Sequence, residues 1–197
     1  MWCWLTAYPG ADRTDATPPQ GGVLTSTFTD ARGRVSALWQ YQSSTVTGNA
    51  SDADVTSYQY TLSGQPAGRT DAAGNAWTYT YDLLGRQTKA SDPDTGTTQT
   101  FYDANSRVDH TIDAKGNTLA YTYDLLGRKT GMYNGSIAPA NELASWTYDT
   151  LDKGQSTSST RYVGGAGGQA YTSAITAYDN AYRALGTSVT IPPAKAR

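Results

Sequence analysis

Very few side chains in this sequence could carry out catalysis. Among 197 residues, His110 is the only histidine, Cys3 the only cysteine and Glu142 the only glutamate. Nucleophilic catalysis needs a serine or cysteine beside a base that a third group orients. His110 and Cys3 lie in separate segments, so the sequence offers no such arrangement. We therefore expect a protein that is not an enzyme, with no catalytic residue.

Two short stretches have the composition of a ligand loop. Asp92 and Asp94 lie in DPDTG, which begins like a calcium loop but lacks the later ligands and the bidentate glutamate. The glycine-rich stretch VGGAGGQ (163–169) lacks the Lys-Ser/Thr pair of a phosphate loop. We predict a turn and a flexible connection respectively. No metal ion and no cofactor is expected.

The residues that do recur are Tyr, Asp, Gly and Arg, in one string. YDLLGR stands at 81–86 and again at 123–128, YDANSR stands midway at 102–107, and Tyr60 heads YTLSGQ, always 21 residues apart. A second series, Asp71, Asp92 and Asp113, keeps the same interval. Two independent series with one period indicate a structural repeat. Residues that recur in every repeat are better explained as scaffold than as an active site.

One repeat has the pattern of a β-hairpin. In the unit 71–92, the turn DAAGN precedes the run WTYTYD, and the turn LLG precedes RQTKAS. Trp77, Tyr79 and Tyr81 fall on one face of the first run while threonines fall on the other, the period-two alternation of a strand. Each hairpin extends the sheet by roughly 10 Å. The sequence predicts an all-β fold, an extended array of antiparallel hairpins in a curved sheet.

The turn residues predict specific backbone conformations. Asp82 can accept a bond from the backbone two residues on, and Gly85 and Gly127 can adopt the left-handed conformation of a hairpin turn with a bulge. Ser106 stands at that position in YDANSR, where a steric cost is expected unless Asn105 shifts the turn by one residue. DAAGN and DAKGN place Asp first and Gly fourth, as type I turns prefer. Each arginine is expected to lie across the mouth of its hairpin.

Composition excludes several classes of partner. The net charge of −2 gives no electrostatic attraction to nucleic acid. No run approaches the roughly 18 apolar residues of a membrane span, and the first eight residues lack the pattern of a signal peptide. A single cysteine leaves the redox compartment unspecified.

The repeat is regular only in part of the chain, which suggests three segments. Residues 1–20 are predicted as an initial strand, with Trp2, Trp4 and Thr6 on one face, followed by a loop. Residues 21–135 hold the regular hairpins, with one longer loop at 43–56. In 136–197 the interval slips to 25 and then 30 residues, at YDTLDK (148–153) and YDNAYR (178–183), which predicts divergent hairpins with longer loops.

These strings, with DAAGN and DAKGN between them, resemble the YD repeats of the bacterial Rhs family. That family is similar to the shell subunits of insecticidal toxin complexes and to the extracellular shell of teneurins. The resemblance implies a sheet strip that, in full-length members, forms a hollow shell around a polymorphic C-terminal toxin. The expected partners are the rest of a larger Rhs polypeptide or an enclosed toxin. It implies a fragment of an exported protein, secreted or at the cell surface.

The repeat pattern assigns a structural role to these positions: Phe28, Asp30, Gly33, Arg34, Tyr60, Gly64, Asp71, Gly74, Tyr81, Asp82, Gly85, Arg86, Tyr102, Asp103, Arg107, Asp113, Gly116, Tyr123, Asp124, Gly127, Arg128, Tyr148, Asp149, Tyr178, Asp179 and Arg183.

The alternative function is a cell-surface carbohydrate-binding or adhesion module, since sugars stack on rows of Tyr and Trp. Mutual packing of Trp77, Tyr79, Tyr81, Tyr121 and Tyr123 would favour scaffold, and an open aromatic groove would favour a site.

Overall fold

The computed structural model describes residues 5–10, 12–19 and 21–193, and within them it contains sixteen β-strands and two short 3₁₀ turns. All sixteen strands are joined in chain order by short connections, and no α-helix occurs in these ranges. This confirms the predicted all-β array of antiparallel hairpins. The strands are β1 (Leu5–Gly10), β2 (Arg13–Thr17), β3 (Thr25–Thr29), β4 (Val35–Tyr41), β5 (Ala53–Tyr60), β6 (Pro66–Thr70), β7 (Ala76–Tyr81), β8 (Gln87–Asp92), β9 (Gly96–Tyr102), β10 (Val108–Ile112), β11 (Thr118–Tyr123), β12 (Lys129–Asn134), β13 (Glu142–Tyr148), β14 (Ser156–Val163), β15 (Gln169–Tyr178) and β16 (Ala184–Thr190).

The chain divides into two compact units, Met1–Thr97 and Thr98–Arg197. In the first unit β1 to β8 pair antiparallel with their neighbours in chain order. In the second unit the strands from β9 to β16 do the same. The predicted change at 135/136 concerns the regularity of the repeat, and it stays a prediction.

The strands follow the predicted alternation. In β7, Trp77, Tyr79 and Tyr81 are half-buried while Ala76, Thr78 and Thr80 are exposed. Burial is nevertheless shallow, since Ser26, Tyr41 and Ala120 are the only buried residues other than glycine in the described part of the chain. A single layer of sheet has little interior, so each hairpin depends on contacts with its neighbours along the sheet.

Each regular hairpin ends in a bulge next to its turn. Tyr81 pairs with Gln87 while Thr80 pairs with Lys89, so one residue of the return strand is skipped. The same skip occurs at Thr122/Tyr123 and at Thr147/Tyr148. This confirms the bulged hairpin that Gly85 and Gly127 predict.

The first segment differs from its prediction. The loop expected after the initial strand contains β2, which pairs with β1 and β3. Polar contacts explain why this Asp- and Thr-rich stretch is extended: Asp15 accepts from the buried hydroxyl of Ser26, which also bonds the hydroxyl of Tyr41. Thr6 lies in β1 opposite Ala16, whereas Trp2 and Trp4 lie outside the described residues.

The longer loop after β4 runs from 42 to 52, because β5 already begins at Ala53. It folds back far enough that a side chain at Gly48 would lie 2.9 Å from a guanidinium nitrogen of Arg13. Asn49 caps the 3₁₀ turn Ala50–Asp52 by accepting from the backbone of Ser51. The loop thus packs near β2, where Arg13 also bonds Asp15.

No helix among the described residues has the length and apolar character needed to cross a membrane.

Candidate functional site

The repeated Asp and Arg close each turn together. Asp82 Oδ1 accepts from the backbone N–H groups of Leu84 and Arg86, both at 2.9 Å, and Asp82 Oδ2 accepts from Arg86 Nε at 2.7 Å. The backbone adds Gly85 N–H to Asp82 O and Asp82 N–H to Arg86 O. One carboxylate therefore satisfies the turn and fixes the arginine, as the sequence predicts for both residues.

The same five-residue turn recurs along both edges of the array. The pairs Asp30/Arg34, Asp103/Arg107, Asp124/Arg128 and Asp179/Arg183 repeat the Asp82/Arg86 geometry, and in Asp71/Asn75 and Asp113/Asn117 an asparagine amide replaces the guanidinium. The 21-residue repeat is thus built from two similar halves with the pattern D-x-x-G-[R/N]. Sequence reasoning missed this equivalence, although the spacing of Asp and Gly shows it in both strings.

The fourth position is left-handed in each of these five-residue turns. The backbone angle φ is 79° at Gly85, 81° at Gly127, 84° at Gly74 and 80° at Gly116. Ser106 also has φ of 64°, so the turn in YDANSR keeps its register and does not shift to Asn105. Tyr182 takes this position in the last hairpin with φ of 59°.

Three hairpins depart from the pattern. Thr29, rather than Phe28, stands where the other heads have tyrosine, and the Phe28 ring packs on Trp39 at 4.6 Å. In YTLSGQ, Thr61 Oγ1 takes the place of the carboxylate and accepts from Gln65 N–H, with Gly64 at φ of 94°.

The YDTLDK turn is longer than its sequence suggested. Asp149 N–H donates to Gln155 O, and Gly154 N–H donates to Asp149 Oδ1. Two extra residues before Gly154 move the closing position from Lys153 to Gln155. Asp149 itself has φ of 66°.

Five of the tyrosines that head hairpins reach the preceding hairpin of their own unit. Each hydroxyl donates to the carbonyl of the first residue in the neighbouring return strand, at 2.7 to 2.9 Å. The pairs are Tyr60 to Val35, Tyr81 to Pro66, Tyr123 to Val108, Tyr148 to Lys129 and Tyr178 to Ser156. These tyrosines therefore join successive repeats.

The arginines join the same neighbours. The guanidinium of Arg107, held by Asp103, lies over the Tyr123 ring at 4.7 Å, and its Nη1 donates to Asp124 O. Arg34 lies over Tyr60 at 4.3 Å and Arg128 over Tyr148 at 4.4 Å. We call this Asp–Arg–Tyr chain between hairpins the repeat ladder. The sequence placed each arginine only in its own turn, so this contact was not anticipated.

Hydrogen bonds and charge set the acidity of the turn carboxylates. The backbone N–H of Arg86 is the main cause that holds the pKa of Asp82 below its ordinary value, and that of Arg107 does so for Asp103. The side chain of Asn75 lowers the pKa of Asp71, as that of Asn117 does for Asp113. The Arg128 guanidinium donates to both carboxylate oxygens of Asp149 and lowers the pKa of Asp149 to about 2.

Cations and hydrogen bonds cover part of the aromatic row. Arg69 covers Trp77 at 3.8 Å, and the indole N–H of Trp77 donates to Asp92 Oδ2 at 2.9 Å. Lys129 covers the Tyr121 ring at 3.9 Å. A cation thus occupies ring faces that a stacked sugar would need. These contacts favour a scaffold role for this row.

The residues first considered for chemistry occupy structural positions. His110 stacks on Phe101 with ring centres 4.3 Å apart, and its Nδ1 bonds Asp109 at 2.7 Å. Asp92 Oδ1 accepts from the backbone of Asp94 and Thr95, which is the predicted turn. The described residues hold no group of three or more His, Cys, Asp or Glu that could bind a metal ion. Cys3 lies outside them.

Aromatic side chains border concavities at two places. Tyr79 and Tyr81 line one of about 500 Å³ beside the turn 61–65, and Trp146 borders a groove in the second unit. Trp146 in β13 lies opposite Ser159, which lies opposite Ser173, so small residues extend across two strands beside the indole. The adjoining concavities have volumes of about 300 and 270 Å³. Arg161, Tyr171 and Ile175 complete the lining.

Comparison with known proteins agrees with this architecture. Residues 60–98 match the family model described as RHS Repeat. No curated protein matches the chain. Three solved structures illustrate the likeness: the crystal structure of TcdB2-TccC3 (17% identity, TM-score 0.75, 96% of this chain), the Photorhabdus luminescens Tc holotoxin pore with TccC3-D651A (16%, 0.74, 98%) and TcdB2-TccC3 without its hypervariable C-terminal region (16%, 0.75, 96%).

The chain covers 10% of the length of each of those solved chains. At such identities the likeness is one of fold, and it extends far beyond the residues that match the family model. The resemblance predicted from the YD strings is confirmed. The chain contains an RHS repeat at residues 60–98 and has, over nearly its whole length, the fold of a segment of the TcdB2-TccC3 structures.

Proposed function

We propose that the chain is a wall segment of an Rhs-type shell that encloses or presents a C-terminal toxin. The observation that carries this proposal is the repeat ladder, because within each unit it joins neighbouring hairpins through side chains that recur along the chain. Such a sheet can be lengthened by adding hairpins without changing any existing contact. A wall needs that property, and a catalytic site does not.

The mechanism of a wall is exclusion. In the turns 61–65, 82–86, 103–107 and 124–128 an Asp or Thr side chain accepts from backbone N–H groups, so these are closed turns rather than frayed loops exposed to proteases and solvent. A toxin behind such a wall would be separated from the cytoplasm and from proteases. The partners are then the rest of a larger Rhs polypeptide and its cargo, and the setting is an exported bacterial protein.

The test is a segment exchange. This chain replaces the stretch of TcdB2-TccC3 that it matches, which is 10% of that chain. We expect the chimera to keep its C-terminal region resistant to a protease that digests the same region when it is freed by denaturation. A chimera that carries a Gly/Ser linker of equal length is the control and should be digested. Digestion of both chimeras at the same rate would contradict the proposal.

A second candidate is carbohydrate binding, and the groove beside Trp146 is the observation that favours it. An indole flanked by serine hydroxyls and Arg161 offers a stacking surface and hydrogen-bond partners. Lys129 Nζ lies over this ring at 5.9 Å, farther away than the cations that cover Trp77 and Tyr121. Binding of methyl glycosides is measured by calorimetry with the wild type and with Trp146→Ala. Loss of binding in Trp146→Ala, with Trp77→Ala unchanged, would support this candidate.

A catalytic role would require a different result. A reproducible activity that disappears in His110→Ala or in Asp92→Ala would replace the proposal of a non-catalytic wall.

A further inference from the structure

Three leucines at the turn tips of the first unit are fully or largely exposed. Leu62 is 95% exposed, Leu83 106% and Leu84 72%. Alternate connections of an antiparallel array lie on the same edge, so the turns 30–34, 61–65 and 82–86 share one edge. We call this the leucine edge. Its tips recur about every 10 Å along the sheet. Scattered exposed leucines need no explanation, but these three lie together on two adjacent tips of one edge, as the apolar groups of an interaction surface do.

The tips of the leucine edge are held in place before any partner binds. Arg32 Nη1 donates to the carbonyl of Leu62 at 2.9 Å, and Gln65 Nε2 donates to the carbonyl of Gly85 at 2.7 Å. The backbone N–H groups of Arg32 and Leu84 are already bonded to Asp30 and Asp82. Covering this edge would therefore bury leucine side chains without leaving these donors unpaired. Because the tips are already held, binding would cost little conformational entropy.

The opposite edge of the same unit has complementary size and charge. Its turns 71–75 and 92–96 present Ala72, Ala73, Pro93 and Asp94, and a side chain placed at Gly74 would meet no atom within 4 Å. These turns contain Asp71, Asp92 and Asp94 but neither Lys nor Arg. On the leucine edge Arg34 and Arg86 are paired with Asp30 and Asp82 in their own turns, so Arg32 is the positive charge in excess. We call the opposite side the acidic edge.

We propose that the leucine edge docks on the acidic edge of another run of the same hairpins, and that a second copy of this chain supplies that run in solution. The leucine-bearing turns 61–65 and 82–86 are 21 residues apart, as are the acidic turns 71–75 and 92–96, so leucine tips meet small, acidic turns in the same register. The contact is between unlike surfaces and so can continue from copy to copy. This inference rests on the proposed function, since a wall is closed by runs of hairpins that lie side by side.

Cross-linking tests which edges meet. In a Cys3→Ser background, one variant carries Leu83→Cys and another, of different tag mass, carries Ala72→Cys and Asp94→Cys. Disulfides form only between cysteines whose Cα atoms approach within about 7 Å. We expect the mixture to form the heterologous dimer at least tenfold faster than either variant alone forms its own. Dimers of Leu83→Cys with itself at an equal or higher rate, or no dimers, would overturn the proposal.

Sedimentation velocity tests the leucines themselves at chain concentrations up to about 1 mM, the range of a weak contact. We expect concentration-dependent association of the wild type, weakened by 0.5 M salt because unlike charges contribute. The triple variant Leu62→Asn, Leu83→Asn, Leu84→Asn should weaken it at least tenfold. Val189→Asn with Ile191→Asn removes apolar groups that are 70% and 69% exposed away from the turns, and it should weaken association less than twofold. Equal effects would overturn the proposal.

The two proposals fail separately. Failed cross-linking with a protease-resistant chimera would overturn this edge contact and leave the wall segment in place. Heterologous cross-linking with a digested chimera would overturn the wall function and leave the edge contact.

Discussion

The left-handed turn position gives the sharpest test of the repeat, through Gly116→Ala. Gly116 has φ of 80°, and a methyl group built there meets no atom within 4 Å. The substitution therefore changes backbone strain without creating a clash. An L-residue in this region costs about 1 to 2 kcal/mol. Alanine also reduces the conformational entropy of the unfolded chain, which stabilises the folded state by about 0.4 to 1 kcal/mol. We expect a net loss of about 1 kcal/mol in the free energy of unfolding.

The matched control is Gly167→Ala. Gly167 lies in the same unit, also has no atom within 4 Å of an added methyl, and is not left-handed. At Gly167 alanine adds no backbone strain and only reduces the entropy of the unfolded chain. The free energy of unfolding should therefore stay the same or rise by about 0.4 to 1 kcal/mol. Urea unfolding followed by far-ultraviolet circular dichroism measures both variants. Equal unfolding midpoints for the two would refute the assignment of strain to the turn.

The other predictions concern the ladder, the turns and acid. Gly127→Val adds β-branching at φ of 81° and should cost at least about 1 to 2 kcal/mol in thermal unfolding, and an unchanged Tm would contradict that turn. Tyr123→Phe removes the 2.8 Å bond to Val108 and should cost about 0.5 to 1.5 kcal/mol in urea unfolding, more than Tyr182→Phe at an exposed ring. Asn75→Arg introduces the arginine that stands at the equivalent position of turns such as 82–86. It should change the free energy of unfolding by less than about 0.5 kcal/mol, and a larger loss would contradict the equivalence of the two kinds of turn. The pKa of Asp149 is about 2 in the folded state and about 3.9 in the unfolded state, so the unfolded state binds more protons between these values. Asp149 therefore stabilises the fold above about pH 4, and this stabilisation is lost between about pH 4 and 2. Asp149→Asn should flatten that part of the pH profile of unfolding.

The hairpins could be predicted from the sequence because their determinants are local. Alternation of Trp77, Tyr79 and Tyr81 defines a strand, and the interval from Asp82 to Gly85 defines a turn, without knowledge of any distant residue. The same local logic placed the bulge beside the turn. Ser106 shows the limit of this logic, since it keeps the left-handed conformation despite its side chain. The bonds on both sides of the turn hold it there, with Arg107 N–H on Asp103 and Ser106 N–H on the Asp103 carbonyl.

Contacts between hairpins could not be predicted in the same way. Arg107 and Tyr123 are 16 positions apart, and their contact depends on the register between two strands of different hairpins. Strand β2 was missed for a related reason. Its extended form is supported by Ser26 and Tyr41, which belong to later strands, whereas its own sequence contains the Asp and Thr of a loop.

The position of the ladder near the turns leaves the middle of the strands free to vary, as the proposed wall segment would need. Tyr, Asp, Gly and Arg of the repeat act at the turn and on the neighbouring hairpin, so lateral stability is concentrated near one end of each strand. Side chains along the middle of the strands contribute little burial, as the scarcity of buried residues indicates. Those positions can therefore differ between repeats, from the Trp77 and Tyr79 of β7 to the serines of β14, without loss of the array. A strip that is stabilised mainly at its turns can vary along its faces, which is what the proposed wall requires.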